Sequence, residues 1–203
     1  MESLWHRHAG QWARGPGESP DRWALAVDGA TALEHGFARG EDDPGDSWSE
    51  ALATLRHAEL PVTVVTRVTR SNQRSLEAIG ASIRDADAWV LTFPEVSGPR
   101  ADALGPRLAM ALPWALRAAT RWGERAFLHG APLCLVGPHA SQVLDEEGRS
   151  FAERCGPCAA RAACPGVDVR YLERFAGDEL RPRPPGAIGP RADPLLPAAL
   201  RVL

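Results

Sequence analysis

Three of the four cysteines in this chain stand within ten residues, in Cys155-Gly-Pro-Cys158-Ala-Ala-Arg-Ala-Ala-Cys164. A C-x2-C pair puts two thiolates on one tight turn, where both can reach the same metal ion or cluster. Cys134 lies about twenty residues upstream. It sits in the apolar run Pro132-Leu-Cys-Leu-Val136, either as a fourth ligand or as a small buried hydrophobe. Four thiolates suit a tetrahedral zinc ion or an iron–sulfur cluster, and the spacing leaves both open. A zinc ribbon would usually carry a second C-x2-C knuckle, which the sequence lacks. A thioredoxin-type redox pair fits less well, because the flanking segments do not read as the expected βαβ context.

A few other polar residues sit where a parallel α/β sheet would present them. Asp28 closes the apolar stretch Trp23–Gly29, Asn72 follows the β-branched run Pro61–Thr69, and Pro94-Glu95 stands at the end of Ala88–Pro94. Each of these runs reads as a strand. Asp28 and Asn72 can each contact a ligand; otherwise Asp28 bonds turn amides and Asn72 helps cap the next helix. Glu95 is a substrate-facing candidate. His35 and His139 read as surface or turn histidines, with His139 a minor candidate for the cysteine site. Tyr171, the only tyrosine, is expected to pack its ring against the cysteine loop.

The elements between the strands set the fold. Residues 34–46 read as loop. Ser47 with Glu50 forms a capping-box pattern, and Trp48, Ala51, Leu52 and Leu55 then share a helical face. Ser71 is placed to cap a second helix with a stripe of Leu76, Ile79 and Ile83. A long helical region over 100–122 should break or kink at Pro106 and Pro113. Strand, helix, strand, helix, strand is the rhythm of a parallel α/β sheet, whose ligands gather at the carboxyl ends of the strands.

The 203 residues carry a formal charge of −3, which argues for no nucleic-acid partner. All 23 basic residues are Arg, which reads as codon usage. No apolar run is long enough to span a membrane and the first twenty residues lack the shape of a signal peptide, so the expected setting is cytoplasmic, with no membrane partner. There a cysteine cluster is more often metal-binding or catalytic than a disulfide framework.

The segment Cys155–Pro182 resembles the C-terminal part of many radical SAM proteins: clustered cysteines, Pro165-Gly166, Tyr171, Gly177-Asp178-Glu179 and a closing Pro182. Upstream, the stretch from Leu25 through Gly29-Ala-Thr31, His35 and Gly36 to a capped helix is similar to the family's segment after the fourth barrel strand. Pro61–Ile79 is similar to the fifth strand, with Asn72 at a recurrent Asn, and Gly130-Ala-Pro-Leu-Cys134 to a stretch that precedes the cysteines. The resemblance spans roughly residues 23–182. It implies an incomplete parallel (β/α) barrel of about three β/α units with a C-terminal cysteine-rich metal-binding extension. The divisions would be an irregular segment over 1–22, the partial barrel over 23–130, the cluster segment over 131–182 and a Pro-rich tail over 183–203. It also implies an auxiliary [4Fe–4S] cluster on Cys134, Cys155, Cys158 and Cys164, and S-adenosylmethionine near Asp28 and Asn72. Two departures stand out. No cysteine precedes Cys134, so the C-x3-C-x2-C of the SAM-cleaving cluster is missing, and the first three barrel strands have no counterpart. The expected function is therefore a truncated or degenerate radical SAM-like iron–sulfur protein, inactive alone in SAM cleavage. Its partner would be a peptide or protein substrate or a complementary subunit. The alternative is a zinc-stabilised, non-catalytic protein-binding module.

Overall fold

The computed structural model describes residues 12–14, 23–39, 48–93, 101–144 and 150–185. Five strands form one sheet in chain order: β1 (Trp12–Arg14), β2 (Trp23–Ala26), β3 (Val62–Arg67), β4 (Ala88–Thr92) and β5 (Ala126–His129). Strands β2 to β5 run parallel, as the strand–helix rhythm predicts, and their buried runs are nearly continuous in β3 and β4. β1 pairs antiparallel on β2, with Trp12 opposite Leu25 and Arg14 opposite Trp23. It falls in the segment expected to be irregular, and it covers the edge of β2.

Each parallel crossover moves one strand over in the same direction, so right-handed connections put the helices on one face. Burial agrees. Leu25, Val64, Trp89 and Leu128 share a single core with helical residues that include Leu52, Ile79 and Leu112. On the opposite face only Ala88, Val90, Phe127 and Leu144 form a smaller cluster, with Val65 against it.

The helices follow local chemistry. α1 (Ala32–Arg39) occupies part of the expected loop. Its start is a capping box: Thr31 Oγ1 accepts the Glu34 N–H at 3.2 Å, and the Glu34 carboxylate accepts the Ala30 N–H at 3.0 Å. α2 (Trp48–His57) buries Trp48, Leu52 and Leu55 as the periodicity requires; Ser47 lies outside the described residues. α3 (Leu76–Ser82) starts later than the Ser71 cap implied, and the Ser71 hydroxyl instead bonds Thr69 Oγ1 at 2.8 Å. The stripe of Leu76, Ile79 and Ile83 is buried. α4 (Ala101–Leu104) ends before Pro106, and α5 (Leu108–Trp122) runs through Pro113. Pro113 lies on the exposed face, where water can satisfy the carbonyl its ring leaves unbonded. α3 and α5 meet at Gly80, whose carbonyl accepts the Trp122 indole N–H at 2.7 Å. A Cβ on Gly80 would stand 2.8 Å from the Trp89 ring.

After β5 a single turn, α6 (Leu133–Val136), carries Cys134. The cysteine loop closes where Ser150 and Val167 exchange two main-chain hydrogen bonds, at 2.8 and 3.0 Å. α7 (Val169–Phe175) follows, capped by the Asp168 carboxylate on the Arg170 N–H.

Candidate functional site

The closed loop from Ser150 to Val167 brings Cys155, Cys158 and Cys164 onto a series of tight turns. The N–H of Cys158 bonds the Cys155 carbonyl at 3.1 Å, and the N–H of Cys164 bonds the Arg161 carbonyl at 3.3 Å. α6 faces this loop, and all four cysteines line one small pocket, with a cavity volume of ≈ 20 Å³. All four are half-buried free thiols. Cys134 thus reaches the pocket from a helical turn.

Main-chain N–H groups point at the sulfurs. Leu133 and Gly166 donate to Cys164 Sγ, both at 3.4 Å, Arg183 to Cys158 Sγ at 3.3 Å and Arg181 to Cys134 Sγ at 3.5 Å. A sulfur is a weak acceptor as a thiol and a much better one as a thiolate. The last two donors come from Arg181-Pro182-Arg183-Pro184, where only the arginines keep an N–H. The strap is pinned by the Arg183 guanidinium on the Leu133 carbonyl at 3.0 Å and by the Ala159 N–H on the Arg183 carbonyl at 2.9 Å.

Burial pushes the Cys134 thiol above its ordinary 9.0, and the neighbouring Cys164, Cys155 and Cys158 push it further, against the lowering effect of the Arg181 N–H. Burial raises Cys155 as well, against the lowering effect of the Ala152 main chain, with Cys158 and Cys164 adding to the rise. Without a cation these sulfurs hold their protons; a bound metal reverses that balance. Among the described residues no group of three or more His, Cys, Asp or Glu side chains is gathered as one metal ion would need.

The cysteine segment is also tied to the sheet. The N–H of Leu108, at the start of α5, is shared between the Tyr171 hydroxyl oxygen and Glu179 Oε1, both at 3.0 Å, and the Ala109 N–H reaches Glu179 Oε2 at 3.2 Å. Tyr171 packs on Phe175, centroids 4.9 Å apart. Its hydroxyl therefore links α7 to α5, a role that ring packing alone did not suggest. Neither contact was legible locally, because the partners stand 63 to 71 residues apart.

Asp28 and Asn72 do come together, at the carboxyl ends of β2 and β3. Asp28 is buried, and its carboxylate accepts the Arg67 N–H at 2.7 Å and the Arg67 guanidinium at 3.0 and 2.8 Å. The Asn72 amide donates to the carbonyls of Asp28 and Arg67, at 2.9 and 2.8 Å, and accepts the Thr69 N–H at 2.8 Å. Both residues bracket two adjacent strand ends. His35 is fully buried in α1, against its expected place at the surface or in a turn, and its Nδ1 accepts the Asp28 N–H at 3.0 Å, which fixes the neutral tautomer protonated at Nε2. His139 stands apart from the cysteines, bonded to Gln142 and Thr120. Glu95 lies outside the described residues.

Comparison with protein-family models, with curated proteins and with solved structures finds no match to the chain.

Proposed function

We propose that this chain is an iron–sulfur protein whose Cys134, Cys155, Cys158 and Cys164 hold one [4Fe–4S] cluster. The observation that carries the reading is the single pocket lined by all four thiols, with N–H donors aimed at three of the sulfurs. Such donors stabilise thiolate ligands and help set a cluster's potential. One zinc ion wants all four sulfurs within about 2.3 Å of a common centre. A cluster gives each thiolate its own iron and so asks for a wider spacing of the sulfurs.

The frame suits a degenerate radical SAM-like protein. Parallel strands in sequential order, with helices on one face, are what a section of a (β/α) barrel wall would present. The chain has no other cysteines for a SAM-cleaving cluster, so in this reading it is inactive alone in that reaction. When bound, an auxiliary cluster supplies a redox or substrate-binding centre, for a peptide or protein handled together with a complementary subunit. The chain's own part is to exclude water through Phe151, Val167 and Leu180, and to hold the sulfurs as thiolates through main-chain N–H groups. S-adenosylmethionine contact at Asp28 and Asn72 would have to use hydrogen-bonding capacity beyond the bonds that already lock the strand ends.

The second reading is a zinc-stapled binding module, favoured by the missing cysteine triad. Anaerobic purification, reconstitution with iron and sulfide, and assay of iron, sulfide and zinc separate the two. About four iron and four sulfide per chain, lost in Cys134→Ser and Cys158→Ala, support the cluster. One tightly held zinc without sulfide leaves the second reading, and a chain that takes up no metal refutes both.

A further inference from the structure

A second pocket, of ≈ 410 Å³, opens at the carboxyl side of the parallel strands and is lined by Arg70, Gln73, Pro106, Arg107 and Met110. It shares no lining residue with the cysteine pocket. Arg70 stands three residues past the end of β3, and Arg107 is the residue before α5. Among the described residues neither guanidinium has a carboxylate partner; Arg107 lies over the Phe175 ring, 4.9 Å from its centroid, and its charge remains available. Gln73 Oε1 is buried with no hydrogen-bond donor. Met110 is largely exposed and forms an apolar wall with Pro106. Two unneutralised guanidiniums, an unfilled amide acceptor and an apolar wall are an unusual set to leave together.

We propose that this pocket binds the C-terminal residue of an apolar peptide. The α-carboxylate pairs with Arg70 and Arg107, and the side chain lies on Pro106 and Met110. Glu179 already occupies the first amides of α5, so the carboxylate falls to the guanidiniums. A phosphate would leave the apolar wall without a partner.

The test is an NMR titration of the full chain with N-acetyl-L-leucine, with the neutral N-acetyl-L-leucinamide and with inorganic phosphate. Saturable binding of the carboxylate, none of the amide, and at least about tenfold weakening in Arg70→Gln are expected. Arg70 is exposed and its side chain makes no hydrogen bond or ion pair among the described residues, so this variant should keep the fold, and its metal content should equal that of the wild type whatever the metal proves to be. Arg107→Gln should weaken binding as well. Equal binding of the amide, competition by phosphate at equal concentration, no saturation, or unchanged affinity in both variants would overturn the proposal.

Discussion

Glu179 joins the cysteine segment to the sheet, and its contribution can be worked out. The first four N–H groups of a helix have no carbonyl within the helix. In α5 the residue before the helix offers no side-chain cap, and Glu179 covers two of these amides from another part of the chain. Glu179→Gln keeps the shape, removes the charge and turns an NH2 toward one of the two amides. Hydrogen bonds to a charged group are worth about 1.5–3 kcal/mol, and a lost helix cap costs about 1 kcal/mol. The Ala109 contact is exposed, so water replaces part of it, and the expected loss is about 1–1.5 kcal/mol. Tyr171→Phe alone should cost less, about 0.5–1 kcal/mol, because Leu108 keeps Glu179 as acceptor. The sharper test is the double variant Tyr171→Phe with Glu179→Ala, read against its two singles. Leu108 is 3% exposed, and with both acceptors gone its N–H is buried and unpaired. The double loss should then exceed the sum of the singles by about 1 kcal/mol. Thermal unfolding reads this as a fall in Tm of about 2–4 °C per kcal/mol in a chain of this size. Additive single and double variants, or Glu179→Gln indistinguishable from wild type, would refute a shared cap.

Asn72→Ala removes three hydrogen bonds from a buried bracket and should cost about 3 kcal/mol in urea unfolding; Asn72→Asp should not rescue it, because a carboxylate cannot donate to the two carbonyls. Gly80→Ala forces a methyl group against Trp89 and should cost about 1–3 kcal/mol, with a change in tryptophan fluorescence marking the shift of Trp89 and Trp122. Folding raises Cys134 and Cys155 above 9.0, so the folded metal-free chain holds those protons more tightly than the unfolded one. That stability is fully present below the unfolded value and is lost as pH rises through the folded ones. Urea midpoints of the reduced, metal-free chain should therefore fall above pH 9, less steeply in Cys134→Ala. Metal uptake has to release the same protons, so apparent affinity measured by chelator competition should weaken as pH falls.

Strong local patterns were legible. The β-branched run of β3, the apolar run of β4 and the stripe of α3 carry their periodicity in adjacent residues, and the break before α5 follows from Pro106. Most of α1 lies in the stretch that reads as loop, yet Thr31-Ala-Leu-Glu34 carries its start signal; Gly36 obscures the rest. β1 has no such signal, since three residues gain a strand only by pairing with β2. The cysteine trio was legible because its members share one short loop. That Cys134 joins them depends on how α6 packs, and no spacing encodes that. The donors at Arg181 and Arg183 act through the main chain, so the alternation with proline was their only trace.

The direction of β1 bears on how this chain could associate. A parallel sheet extended past β2 by another polypeptide would need the row of main-chain groups that β1 now occupies. An incoming strand would meet an intramolecular competitor, present at high effective concentration but held by only three residues. Pairing at that edge would proceed by strand exchange: slow in the intact chain, and faster once β1 is deleted or broken by proline at Ala13.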